Sequence, residues 1–245
     1  MTDGRFGSGL GGGVALALGL VIASIIGGYA FVRGKRGDQT IVVTGSARKR
    51  IKSDMAIWRS GVSYQATSLA EAYRSLSENV PRVKAYLISK GIAENQITIS
   101  SITSQTLHGK NADGEDTGMI TGYSLRQELE VRSNEVEKIA QIARQATELI
   151  NQGILIESQA PEFIYTKLGP EKIEILGAAA KDALERARQV AQSTESSVGS
   201  VRTARMGVLQ ITPADSNEVS DSGMNDTSSI DKDITAVVNI GFAID

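Results

Sequence analysis

From Phe6 to Val32 the chain carries no charged side chain, and its centre, Val14-Ala-Leu-Ala-Leu-Gly-Leu-Val-Ile-Ala-Ser-Ile-Ile26, is almost wholly apolar. About 20 helical residues rising about 1.5 Å each match a hydrocarbon core roughly 30 Å thick. Residues 11–32 are therefore expected to form one N-terminal transmembrane helix, after a tail over 1–10 and before a linker over 33–38. A cleaved signal peptide is the alternative, with Gly28-Tyr29-Ala30 as a small-x-small cleavage site. Arg33, Lys35 and Arg36 follow the segment at once, and by charge alone that side stays cytoplasmic. Gly11, Ala15, Gly19, Ala23 and Gly27 recur every fourth residue, which puts small side chains on one helix face where two backbones can approach.

Beyond residue 38 the hydropathy changes period several times. The β-branched run Thr40–Thr44 opens a strand, and Met55, Ile57, Val62 and Tyr64 suggest a second with a bulge at Gly61. Leu69, Tyr73, Leu76, Val80, Val83 and Leu87 then follow the 3–4 spacing of one helix face, a helix from Ser68 to Lys90 that Pro81 should kink. Ile97 and Ile99 start a third strand, and Tyr123 to Val131 a fourth. Residues 107–118 between them read as a polar loop. Helices over 134–150 and 170–196 follow, the second with Ala180, Ala183, Ala187 and Ala191 at helical spacing. Short strands lie at Ile154–Ile156, Val201–Ile211 and Ile234–Phe242, and the Ser/Asp/Asn-rich stretch Pro213–Asp233 reads as a mobile loop. This order predicts an α+β domain over 39–245, with an antiparallel or mixed sheet and three helices.

Chemistry is thinly represented. There is no cysteine and one histidine, His108, so a Cys/His zinc site, a disulfide framework and a catalytic thiol are excluded. No phosphate-binding glycine loop, nucleophile elbow or His-Glu zinc motif occurs after the uncharged segment. The acids of 113–116 and 215–233 lack the spacing that fixes calcium ligands on a turn. Net charge is −2, and the one dense basic run, Arg48 to Lys52, reads as a solvated turn that could touch anionic headgroups. Nucleic acid is not an expected partner. No catalytic, cofactor or metal residue is expected. Trp58 and Tyr64 are the candidates for a pocket or an interface.

Several short stretches, taken in order, resemble the SIMPL domain family. They are Val42-Val-Thr-Gly-Ser-Ala47 with Lys52-Ser-Asp-Met-Ala-Ile-Trp58, Gly91-Ile-Ala-Glu-Asn-Gln-Ile97, Thr121-Gly-Tyr-Ser124 with Glu128-Leu-Glu-Val131, Glu148-Leu-Ile-Asn-Gln-Gly-Ile154, and the helix of Ala183, Ala187 and Ala191. Ser53 departs from the proline common in relatives, and Asn151-Gln152-Gly153 from their usual Gly-Ala-Asn type turn. The resemblance implies a SIMPL-like α+β fold and a bacterial envelope protein. It also implies residence at the inner membrane through a single pass, with a periplasmic domain. Some family members resemble subunits of ring-shaped or channel-like oligomers, and the family carries no established catalytic residues. The expected function is thus non-enzymatic: a membrane-anchored homo-oligomer that self-assembles or scaffolds partners, in the setting of envelope stress tolerance. A periplasmic module binding an unidentified small molecule is the alternative.

Overall fold

A computed structural model describes residues 13, 16–28, 39–218 and 220–244. Its strands are β1 (Thr40–Lys52), β2 (Met55–Ala66), β3 (Ile97–Ile99), β4 (Thr103–Lys110), β5 (Asp116–Ser133), β6 (Ile156–Ser158), β7 (Glu162–Ile164), β8 (Val198–Met206), β9 (Gln210–Pro213), β10 (Met224–Asn225) and β11 (Asp231–Ile244). Residues 16–28 are helical. The longer helices after them are α1 (Leu69–Ser89), α2 (Val136–Gln145) and α3 (Leu168–Ser193). The chain divides into two compact units, one of residues 1–47, 174–208 and 236–245, the other of 48–173 and 209–235.

The second unit is built on β2 and β5, which pair antiparallel without interruption from Ala56 opposite Ser133 to Ala66 opposite Tyr123. Period-2 alternation sends Trp58, Ser60 and Val62 to one face and Arg59 and Ser63 to the other. On the inner face α1 lays down Ala72, Leu76, Val80, Val83 and Leu87, all buried. Its first turn is capped by Ser68, whose hydroxyl accepts from the Glu71 N–H. The stripe differs from the expected one at its start, where Leu69 and Tyr73 stay exposed and Ala72 turns inward. A small residue there lets the helix begin close to the sheet. Val136, Ile139, Ile142 and Ala143 of α2 complete this core with Leu129, Val131 and Phe163. Truncating one of its central leucines, Leu76, to Ala is a change of the class that costs about 2–5 kcal/mol.

In the first unit, Val238–Ile244 of β11 pair antiparallel with β8. The alanine stripe of α3, Ala179, Ala183, Ala187 and Ala191, is buried together with Ile175. Gly45 explains why alanine is needed. A Cβ on Gly45 would lie 2.3 Å from the Ala179 carbonyl oxygen and 2.5 Å from the Ala183 nitrogen, so strand and helix meet backbone to backbone. Asp182 of the helix accepts from the Ser46 N–H at 2.8 Å.

Several sequence expectations are corrected. Instead of one sheet with three helices and a membrane span, the described residues show two sheets, four helices and about 41% strand. The sheets run β1-β11-β9-β10, with β8 also on β11, and β3-β5-β2-β6, with β4 on β5 and β7 on β2. The extra sheet arises because β1 continues through the basic run to Lys52 and pairs with β11, which in turn carries β8 and β9. Among the described residues no helix is long and apolar enough to cross a membrane. Residues 1–10, Gly11, Ala15 and the linker 33–38 lie outside the described residues.

The run Arg48 to Lys52 is strand rather than turn, and its charges are paired. Lys49 meets Glu171 at 2.6 Å, Lys52 meets Glu137 at 2.5 Å, and Arg50 meets both Asp233 and Asp215 at 2.6 Å. Gly61 is no bulge, since the β2–β5 register passes through it unshifted. The expected strand 201–211 is broken into β8 and β9. The expected loop 213–233 carries β10, which pairs parallel with β9.

Candidate interaction site

Trp58 is wholly buried, and its indole N–H donates to the Ser158 hydroxyl at 3.1 Å. Ser158 in turn donates to the Ala143 carbonyl at 2.8 Å. The ring therefore ties sheet to helix inside the core. Tyr64 is half-buried on the same face, and its hydroxyl donates to the Gly153 carbonyl at 3.2 Å. Of the small-residue stripe, Gly19, Ala23 and Gly27 lie on the helical stretch, where all three are exposed. A Cβ at Gly19 or Gly27 would meet nothing within 4 Å. His108 is exposed on β4, opposite Ile120. Among the described residues no group of three His, Asp or Glu side chains could hold a metal ion.

The outer face of the β2–β5 sheet is charged and closed on itself. Arg59 reaches Glu130 at 2.8 Å and Glu162 at 2.7 Å, and Arg132 reaches Glu130 at 2.6 Å. Arg126 bonds both Glu128 and Glu157. Hydrogen bonds from Arg132, then from Arg59, hold the Glu130 carboxyl below the usual carboxylate range, and Arg126 does the same to Glu157. Gly61 makes the second cluster possible, because a Cβ there would lie 2.3 Å from the Arg126 guanidinium. The guanidinium lies over bare backbone to reach the next strand. A concavity of about 190 Å³ lies on this face, lined by Arg59, Thr98, Ser100, Glu128 and Glu130.

The β4–β5 ribbon differs. Only Tyr123 to Ser133 of β5 pair with β2, so Asp116 to Gly122 have β4 as their sole strand partner. At about 3.3 Å per residue this two-stranded arm runs about 20 Å past the sheet. No residue from 98 to 122 belongs to the core. Met119 and Ile120 are 71% and 53% exposed. The tip turns on Asn111, whose side-chain oxygen accepts from the N–H groups of Asp113 and Glu115. Among the described residues strand β4 pairs with β5 alone, and its other edge has no strand partner. An isolated two-stranded ribbon is marginal in water, and an open edge is a template for further pairing.

A groove lies elsewhere on the same unit. Its volume is about 350 Å³, and Leu168, Leu209, Ile211 and Met224 give it apolar walls beside Lys172. A smaller cavity of about 100 Å³ shares Leu168, Ile211 and Asn225 with it and ends on Asp226 and Lys232. Lys232 is 1% exposed and bonds the Asp226 carboxylate at 2.9 Å and its carbonyl at 2.7 Å. Burial alone would raise the Asp226 carboxyl. Hydrogen bonds from Ser228, Ser229 and Lys232 outweigh it and hold the group well below the carboxylate range. The knot pins the segment that carries Met224 and Asn225.

Sequence reasoning missed Met119, Ile120 and the groove residues. The cue for the first two was an apolar pair set in a long polar stretch. The groove left none, since its walls come from three separated segments.

The described residues thus form a two-sheet protein of mixed helix and strand, its sheets almost wholly antiparallel, with a β4–β5 ribbon arm. The chain belongs to the SIMPL family, described as a protein of unknown function (DUF541), which it matches over residues 41–242. Comparison with curated proteins gives no match.

Proposed function

We propose that the protein is a non-enzymatic building block of the cell envelope whose β4–β5 arm mediates self-assembly. The observation that carries this reading is the arm itself, two strands with an open edge and two exposed apolar side chains that contribute nothing to the protein's own core. Such a ribbon is stabilised when a further strand or an apolar surface covers it. The envelope setting rests on the resemblance to the SIMPL family. A small-ligand role centred on Trp58 and Tyr64 has less support, since one ring is wholly buried and the other hydroxyl is occupied by Gly153. The test is the solution mass of residues 39–245, with the arm intact and with Met119 and Ile120 both replaced by Asp. Because the arm lies outside the core, the double variant should keep its fold and lose only the association.

A further inference from the structure

The arm and the groove complement one another. The tip presents Met119 and Ile120 beside Asp113, Glu115 and Asp116, and of those acids only Asp116 has a cation within reach, Lys110 at 3.8 Å. The groove presents Leu168, Leu209, Ile211 and Met224 beside Lys172, which has no ion-pair partner among the described residues. Size agrees as well. A cavity of about 150 Å³ holds a benzene ring, so 350 Å³ accepts the side chain of Met119 with room for its strand neighbours, while Ile120, the next residue of β5, faces the other side of the ribbon.

We infer that the arm tip of one copy docks in the Leu168–Met224 groove of a second copy, with Asp113 or Glu115 meeting Lys172. This rests on the self-assembly reading and names its partner surface. The contact joins two different surfaces of one chain, so each copy donates an arm and accepts one, and the assembly runs head to tail. The buried Asp226–Lys232 knot has a place here, because it holds the Met224 wall in position.

The absence of native cysteine allows a clean test in the full-length chain. Met119→Cys and Met224→Cys proteins are made separately, mixed and oxidised. Met119→Cys mixed with Ser89→Cys, an exposed position on α1, is the control. Docked thiols react at an effective concentration in the millimolar range, so the 119–224 disulfide should form about a thousandfold faster than the control at micromolar protein. Lys172→Glu should abolish the crosslink, and Asp113→Lys with Glu115→Lys on the other partner should restore it. An oligomer that persists in light scattering while 119–224 crosslinking stays at control level overturns the docking and leaves self-assembly standing. A parent protein that is monomeric throughout overturns both.

Discussion

Removing the negative charge of Asp226 is the most informative single change in the second unit. The carboxylate accepts from the Ser228 N–H at 2.8 Å and its hydroxyl at 2.6 Å, from the Ser229 N–H and hydroxyl, and from Lys232 at 2.9 Å. Asp226→Asn leaves the Lys232 ammonium, 1% exposed, with no counter-charge at that distance. Removing one member of a buried pair costs about 3–5 kcal/mol. Lys232→Met should cost less, about 2 kcal/mol, because Asp226 keeps four other donors and loses one charge-assisted bond. The double variant should fall short of the sum by about 1–3 kcal/mol, the coupling of a contacting pair. Urea unfolding followed by the fluorescence of Trp58, the single tryptophan and a core residue of the same unit, reads these differences. With a slope of about 2 kcal/mol per molar, Asp226→Asn shifts the midpoint down by about 2 M. The native carboxyl titrates below its unfolded value, so its stabilisation is present above about pH 4 and is lost as pH falls through the native value. Asp226→Asn should remove that acid sensitivity. An Asp226→Asn cost under about 1 kcal/mol, or a Lys232→Met cost exceeding it, would refute the reasoning.

Two further outcomes follow from close backbone approaches. Gly45→Ala should destabilise by about 3 kcal/mol, at the upper end for overpacking because the obstructing atoms are helix backbone, and should lower the thermal midpoint by about 6–12 °C in far-UV circular dichroism. Gly61→Ala meets only a flexible guanidinium, so its stability cost should stay within about 1 kcal/mol. It should lift Arg126 off Glu157, and a carboxyl titration followed by NMR should find Glu157 moved up toward the ordinary carboxylate range.

What could be read from the sequence was whatever produces a period. The helix face Leu76–Leu87 is buried where periodicity put it, the alanine stripe of α3 holds from Ala183 to Ala191 with Ala179 in place of Ala180, and β2 is a strand whose inner face is Trp58, Ser60 and Val62, because without a bulge at Gly61 Met55 and Ile57 fall on the other side. Strands built from polar residues were invisible. Arg48 to Lys52 looked like a turn because its charges are answered by Glu137, Glu171, Asp215 and Asp233, acids far away in sequence. The arm looked like a loop for the same reason, since a ribbon with no core to face carries no apolar alternation. Gly61 looked like a bulge because a glycine in a strand usually answers a local backbone need. Here the need is set by Arg126 on the neighbouring strand. The uncharged N-terminal run satisfied the composition of a membrane span, and among the described residues no helix is long and apolar enough to make one. Trp58, a candidate for a pocket or an interface, lies wholly buried, and burial of a ring is not encoded in composition.

The central claim is that the β4–β5 arm joins copies of this chain, and the most direct measurement is light scattering on residues 39–245 over a concentration series. The account predicts a discrete oligomer for the parent, and a monomer with unchanged circular dichroism for the Met119→Asp, Ile120→Asp variant. A strictly monomeric parent, or an oligomer of unchanged mass in the variant, would contradict it.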